Sequence, residues 1–533
     1  MGGLNPSFRP DEPWQAIPRQ AGERGFVTVA LADGNDQDGA AAKLGAVLDA
    51  AVDGALEQWQ SAHGGPEEQA LCAIVRQAVP ALVSGVAAEL SALLAGDGST
   101  VPGAVQRALW PVGRACVLAV WQLQGRGAVP SPEQRPDCPQ CGRRMKLVAP
   151  CRVRHVLSRF GLYPLQRPYY RCEVCGGGLA PDDAAWGQGP GLLDPEVTQL
   201  LAANGCNGSF QDAVQTLEAH LFITVDDNEA ERTTEAMGLV ALRRSEERAE
   251  AGPCPLPRDP GSDVLLLEVD GGRVFAGGEW REPRLAAVAP LGPQIEVDAD
   301  TGRERFVTGT ARYTADIADA DTFFQRDVRQ LAEDAGLYHP RVRTVVCLSD
   351  GGGWIEPRWS TLQLPARTRV VSILDVRHFE EHVWTAAKAV WGDGHPMTSS
   401  WATRQIQAVR QRGPQTLIDT LARMRPRRAK GKDEVRKLSA YVARNADRLD
   451  YPTFVAERLP IGSGLIEGGI KAVINARAKA GGMRWSVPGA RAVIRLRALA
   501  RSGADVWADF WRTRPQLERP KAAELPSGGR KAA

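Results

Sequence analysis

Two runs of β-forming residues, each closed by an aspartate, restrict what this 533-residue chain can fold into more than any other feature. They are Val264-Leu-Leu-Leu-Glu-Val-Asp270 and Val345-Val-Cys-Leu-Ser-Asp350. Short apolar runs rich in branched residues read as buried strands. An aspartate just past such a run stands exposed at the sheet's edge, on a backbone the strand holds fixed. Around them, periodicity predicts strands at Leu285–Ala289, about Glu304–Val307 and Arg369–Asp375, and a helix over about Ala315–Ala335. Gly351-Gly-Gly-Trp354 opens a short helix, and the proline-rich stretch Pro253–Pro260 separates this region from what precedes it.

A third acid, Glu467, sits in Ile461-Gly-Ser-Gly-Leu-Ile-Glu467 at the start of a helical pattern. Taken singly, each acid is better explained as an ordinary strand-end or helix-start carboxylate. Together they can converge on two divalent cations about 4 Å apart, which activate the attacking oxygen and stabilise the leaving one in phosphodiester displacement. Three strands followed by alternating helix and strand is the order of the ribonuclease-H-like fold. Its first and fourth strands are neighbours, which would set Asp270 beside Asp350. The third acid of such a core should closely follow the fifth strand. Here the stretch from Phe379 to about Arg448 is instead mostly helical and rich in Arg and Lys. A helical insertion at 379–459, dividing a catalytic core into 262–378 and 460–512, is the simplest account.

A chain of this length needs several cores. Residues 1–36 read as a flexible arm, 37–130 as a helical amino-terminal region and 513–533 as a flexible tail. Cys138-Pro-Gln-Cys141 and Cys172-Glu-Val-Cys175 can offer four thiolates to zinc, each pair on a tight turn released by Gly142 or Gly176. Val153 to Tyr170 between them is rich in strand formers, so 135–180 reads as a zinc ribbon. Four protein ligands leave no open position, which makes that Zn²⁺ structural. Redox-active or incidental cysteines are the alternative. Cys72, Cys116, Cys151, Cys206, Cys254 and Cys347 are scattered and read mostly as small buried apolar residues. Residues 190–250 form a helix-turn-helix-like segment, with Pro195 at a first helical position and Ser209 as a cap. Its last helix would enter a DNA groove. That helix opens with Asp226, Asp227, Glu229 and Glu231, which repel phosphate but suit the positive end of a helix dipole, so both readings stand. The expected architecture is therefore multidomain α+β.

Charge is unevenly spread. From Trp401 onward there are 28 Lys and Arg against 11 Asp and Glu, a balance of +17, so residues 1–400 carry −15 within a chain of +2. A basic final third beside acids placed for metal suits a polyanion such as DNA. There is no secretory signal and no apolar window of the roughly 20 residues a membrane helix needs, so a cytoplasmic location without membrane partners is expected.

Several motifs in one order now point to a family. They are the four cysteines, Val269-Asp-Gly-Gly-Arg-Val274, Leu348-Ser-Asp-Gly351, Ile373-Leu-Asp-Val-Arg-His378, Leu459-Pro-Ile-Gly-Ser-Gly-Leu-Ile-Glu467 and Gly482-Met-Arg-Trp-Ser486. From Cys138 to Trp511 the chain resembles bacterial insertion-sequence transposases of the DDE type, closest to the ISKra group and more distantly to Mutator-like enzymes. The resemblance implies a ribonuclease-H-like core with an all-helical insertion, and Asp270, Asp350 and Glu467 as ligands of two Mg²⁺ (or Mn²⁺) ions. It adds an Asp-x-x-His signature at Asp375 and His378. It also implies binding of double-stranded DNA at terminal inverted repeats, strand cleavage and transfer into target DNA, and a homo-oligomer on that DNA. One departure is Gly468-Gly469 after the glutamate, which weakens a helix by up to about 1 kcal/mol per glycine. Close backbone approach to DNA or to a strand, or decay of the copy, would account for it. A nuclease of the same fold without strand transfer, and a non-catalytic zinc-ribbon DNA binder, are the rival functions.

His378 is expected to support the metal site by bonding Asp375. Lys471, Arg477, Lys479, Arg484 and Trp485 are candidate DNA contacts beyond Glu467. Trp485 would stack on an unpaired base, although a tryptophan here is better read as core filler.

Overall fold

In a computed structural model the described residues are 135–185, 191–252, 258–297, 304–479 and 482–512, with five helical positions between 46 and 57. The expected arm at 1–36, most of the helical region at 37–130, most of the proline-rich linker and the tail at 513–533 lie outside them. The chain divides into two compact units, Met1–Asp182 and Asp183–Ala533.

In the first unit, β1 (Lys146–Ser158) and β2 (Gly161–Arg171) form an antiparallel hairpin, and the short β3 (Gly178–Leu179) joins the edge of β2. The cysteine pairs flank this sheet. Each is folded by the same backbone bonds: Gly142 N–H donates to Cys138 O at 2.8 Å, and Gly176 N–H to Cys172 O at 2.9 Å. Both glycines have positive φ, 69° and 74°, which a side chain would disfavour. Met145 and Tyr170 close a small core against Cys138 and Cys172.

The second unit begins with helices α1 (Pro195–Asn207), α2 (Phe210–Leu221) and α3 (Asp227–Ala251). Side-chain caps explain their starts, with Asp194, Ser209 and Asp226 each accepting a first-turn N–H. The strands follow: β4 (Val264–Gly271), β5 (Val274–Ala276), β6 (Glu279–Arg281), β7 (Arg284–Val297), β8 (Glu304–Thr308) and β9 (Arg312–Asp316). After helical pieces spanning Ala320–Thr322, Phe323–Val328 and Arg329–Asp334 come β10 (Thr344–Ser349) and β11 (Arg369–Leu374).

The main sheet has the order β11-β10-β4-β7, with β9 pairing the first half of β7 and β8 the second. β4, β10 and β11 are parallel, while β7 and its partners run antiparallel. Thus β4 and β10, the strands that end at the two aspartates, lie side by side. Two strand features escaped the sequence reading. The helix expected over about Ala315–Ala335 begins only at Ala320, and Ala315 and Asp316 instead close β9, where the fully buried Asp316 pairs with Arg326 and Arg491. The β5–β6 hairpin is the other.

From β11 onward the chain is helical through α4 (Val376–Trp391), α5 (Pro396–Arg412), α6 (Gln415–Arg423), α7 (Ala429–Arg444) and α8 (Tyr451–Ala456). Rather than hanging from the core, these helices cover one face of the sheet. Phe379, Trp401, Leu438 and Tyr451 pack on Leu266, Val346, Leu348 and Ile373. Leu265, Leu267, Val345 and Cys347 point to the other face, against Phe323, Phe324 and Trp359. The chain then returns through α9 (Gly464–Gly469), a π-helical stretch Ile470–Lys479, α10 (Val487–Arg501) and α11 (Ala504–Arg512). Among the described residues no helix is long and apolar enough to cross a membrane.

Candidate active site

Strand pleat decides which acids meet. On β4, residues 265, 267 and 269 face one layer, so Glu268 and Asp270 both face the other. On β10, Leu348 pairs with Glu268, and continuing that parallel register sets Asp350 level with Asp270. α9 crosses the same face and brings Glu467. Asp270, Asp350 and Glu467 line one cleft of about 220 Å³ with Val269, Arg377, His378, Glu381, Ser463 and Ile466. The three acids are 197 positions apart at the extremes in sequence, yet they share these walls.

Each carboxylate is oriented by a short local contact. Asp270 accepts the Gly271 N–H and Asp350 the Gly352 N–H, both at 2.7 Å. Glu467 accepts from the Ser463 hydroxyl at 3.3 Å. Burial, then the charge of Asp350, pushes Asp270 up to about 6. Four carboxyls against Arg377 and His378 leave the cleft short of positive charge, which is the electrostatic condition for attracting a cation.

Asp375 does not line the cleft; it is fully buried and works as a bracket. One oxygen accepts the His378 N–H at 3.1 Å and lies 3.2 Å from His378 Nδ1; the other accepts the Ser463 N–H at 3.0 Å. Burial alone would raise its pKa, but these bonds hold it below the usual carboxylate range. His378 bridges outward, its Nε2 4.0 Å from Asp350 Oδ2. The hydrogen bond to Asp375, then the charge of Asp350, raises His378 to about 9, so the ring is cationic at neutral pH.

Glu268 went unnoticed in the sequence. It has no solvent exposure, its Oε2 accepts the Ile466 N–H at 2.6 Å, and its Oε1 has no partner. It therefore ties β4 to the residue just before Glu467. Burial foremost, then neighbouring acids, raises it to about 8. An acid inside an apolar strand, two residues before Asp270, was the available signal: parity puts both on one face.

Two expected DNA contacts are corrected. Arg477 and Trp485 are 1% and 9% exposed. The Arg477 guanidinium lies between the Phe210 and Trp485 rings, 4.5 and 4.7 Å from their centroids, and donates to Gly205 O at 2.8 Å. The pair joins the α1–α2 turn to the segment behind Glu467 and presents nothing to DNA. Their apolar neighbours Ile474, Val473 and Ile494 form a core that helical periodicity alone did not separate from a basic surface. Lys471, Lys479 and Arg484 are exposed. α3 is likewise built into the unit. A Cβ on its Gly238 would meet Ala492 O of α10 at 2.1 Å, so the two helices touch backbone to backbone. Asp226 caps α3, the structural role open to its acids.

In the first unit Cys138, Cys141, Cys172 and Cys175 bring all four sulfurs within 4.8 Å of one another and could bind a metal ion such as zinc. Among the described residues no other His, Cys, Asp or Glu group meets that spacing, so the cleft acids stand wider apart than the thiols. Backbone N–H groups of Cys175 and Val174 lower the Cys172 thiol to about 6, while the Cys138 side chain and burial push Cys175 up to about 12, so the four sulfurs titrate as one group. Of the scattered cysteines, Cys206 and Cys347 are buried, Cys151 is exposed, and Cys72, Cys116 and Cys254 lie outside the described residues. No protein-family model matches the chain, and no curated protein matches it.

Proposed function

We propose that the chain is a DNA transposase of the DDE type, binding the terminal inverted repeats of an insertion sequence and cutting and joining DNA with divalent cations. The observation that carries this reading is the cleft where Asp270, Asp350 and Glu467 meet from β4, β10 and α9. The strand order, with β4 beside β10 and the antiparallel strands on the far side, supports a ribonuclease-H-like core. The donors are all carboxylate oxygens, the hard set that Mg²⁺ and Mn²⁺ take. Asp270 and Asp350 would hold one cation and Glu467 would complete the other. When bound, such a pair supplies the charge that activates the attacking oxygen and stabilises the leaving one. The chain's own part is placement. Adjacent strands fix two acids, Ser463 and Glu268 fix the third, and Asp375 holds His378 against the cleft. The four-cysteine cluster fits a structural Zn²⁺, with each thiol pair on its own backbone turn.

The test uses the full chain with plasmid DNA carrying the reading frame's flanks, scored for nicked and joined products. Asp270→Asn, Asp350→Asn and Glu467→Gln should each lose more than the roughly 10–100-fold that removing a supporting group costs, while DNA binding persists. Equal loss of binding and cleavage would mean these acids are structural. Cleavage without joined products would favour a nuclease.

A further inference from the structure

We propose that the β5–β6 hairpin is a single-strand contact, with Trp280 stacking on an unpaired base and Arg273 and Arg484 engaging flanking phosphates. The inference rests on the reading of the cleft as a DNA site. The hairpin leaves the sheet directly after Asp270. Its neck is closed by Gly272 N–H donating to Pro283 O at 2.7 Å, and its tip by Gly277 and Gly278 at φ 66° and 83°. Positive φ at both tip residues matches the tight turn that keeps two short strands in register. Val274 and Ala276 are fully buried, and the backbone is pinned where Gly277 N–H donates to Trp485 O at 2.9 Å. The hairpin is thus a rigid bracket rather than a loose loop.

Alternation then fixes its outer face. Ala276 pairs with Trp485, both turned inward, so Phe275 and Arg484 turn outward. Phe275 pairs across the hairpin with Trp280. The result is a stripe of Arg484, Phe275 and Trp280 at roughly 4.8 Å per strand. Trp280 is 59% exposed, and Phe275 meets it edge to face at 5.7 Å and 78°, bracing the indole while most of it stays in solvent. Arg281 is paired with Glu279, but Arg273 and Arg484 have no acidic partner among the described residues. Trp280 lies three positions from Pro283 at the neck, roughly 10 Å at strand rise. An aromatic face between unpaired arginines fits nucleobase and phosphate better than an apolar protein partner.

The experiment compares binding of the full chain to labelled dT20 and to a blunt 30-base-pair duplex. Trp280→Ala should weaken dT20 binding about tenfold, Trp280→Phe should keep most of it, and duplex binding should change by less than about twofold. Arg273→Ala and Arg484→Ala should weaken both and each flatten the salt dependence of binding by about one ion. An unchanged thermal transition in Trp280→Ala checks the fold. The proposal is overturned if Trp280→Ala binds dT20 as wild type does, if both DNAs weaken equally, or if the variant loses only self-association. A wild-type chain that binds neither DNA would sink the transposase reading as well; one that cuts plasmid normally without Trp280 would sink this inference alone.

Discussion

Glu268 illustrates how one buried carboxyl can serve placement and still cost stability. Its raised pKa means the folded state prefers it protonated. That preference contributes stability below the ordinary glutamate range, and the contribution is lost as pH rises through about 8. Without divalent cations, wild type should lose about 2–3 kcal/mol between pH 6 and 9 from this group, whereas Glu268→Gln should not. Urea midpoints of both proteins at the two pH values measure it; parallel curves would show that Glu268 is ionised throughout. Gly469 shows a second residue-scale constraint. A Cβ there would lie 2.8 Å from Leu285 and 2.9 Å from Tyr313, so the glycine lets α9 approach the sheet closely enough to deliver Glu467. Of the explanations open for Gly468-Gly469, close approach to a strand is the one the packing supports for Gly469. Gly468 faces open space, and nothing in the structure explains it.

At the scale of elements, buried arginines join pieces distant in sequence. Arg477 and Arg497 both reach the carboxyl end of α1, Arg477 through Gly205 O and Arg497 through Cys206 O at 2.7 Å. Arg448 does the same for the covering helices, bonding Ser349 Oγ at 2.8 Å next to Asp350. Arg477→Ala should cost about 2–4 kcal/mol, since it removes a charged hydrogen bond and a desolvated ring contact together. Arg477→Lys should recover less than half, because an ammonium lacks the planar face that meets the rings and the Nε–H that bonds Gly205 O. Urea unfolding gives the loss, and the variant's DNA affinity at a temperature where it is folded should stay within about twofold. A stable Arg477→Ala protein that no longer binds DNA would reverse the assignment of this residue. Sequence reasoning misjudged Arg477 because basic residues are usually solvated, and only packing shows a guanidinium enclosed by aromatic rings.

For the molecule as a whole, the two compact units suggest separable stabilities. The chain should bind one zinc, and Cys172→Ser should abolish it, as metal analysis of the purified protein will show. Chelation should open residues 135–182 to protease, since a core of Met145, Tyr170 and two cysteines is too small to hold the sheet once a metal on the four thiols is removed. The urea midpoint of the second unit should shift by less than about 0.5 kcal/mol in energy. A large shift would mean the units unfold as one.

Strand-end aspartates, paired cysteines and the principal strands were legible, because each depends on local pattern: apolar runs, fixed spacings and turn glycines. The α+β character and the helical run after β11 follow from the same periodicities. Contacts between residues far apart in sequence decided the rest. Asp316 is buried against two arginines at the end of β9, enclosing Arg477 turned a surface cation into core, and the closeness of α9 to β7 put Glu467 within the walls formed by Asp270 and Asp350. Local pattern records which way a side chain faces its own element; only the folded chain records what waits on the other side.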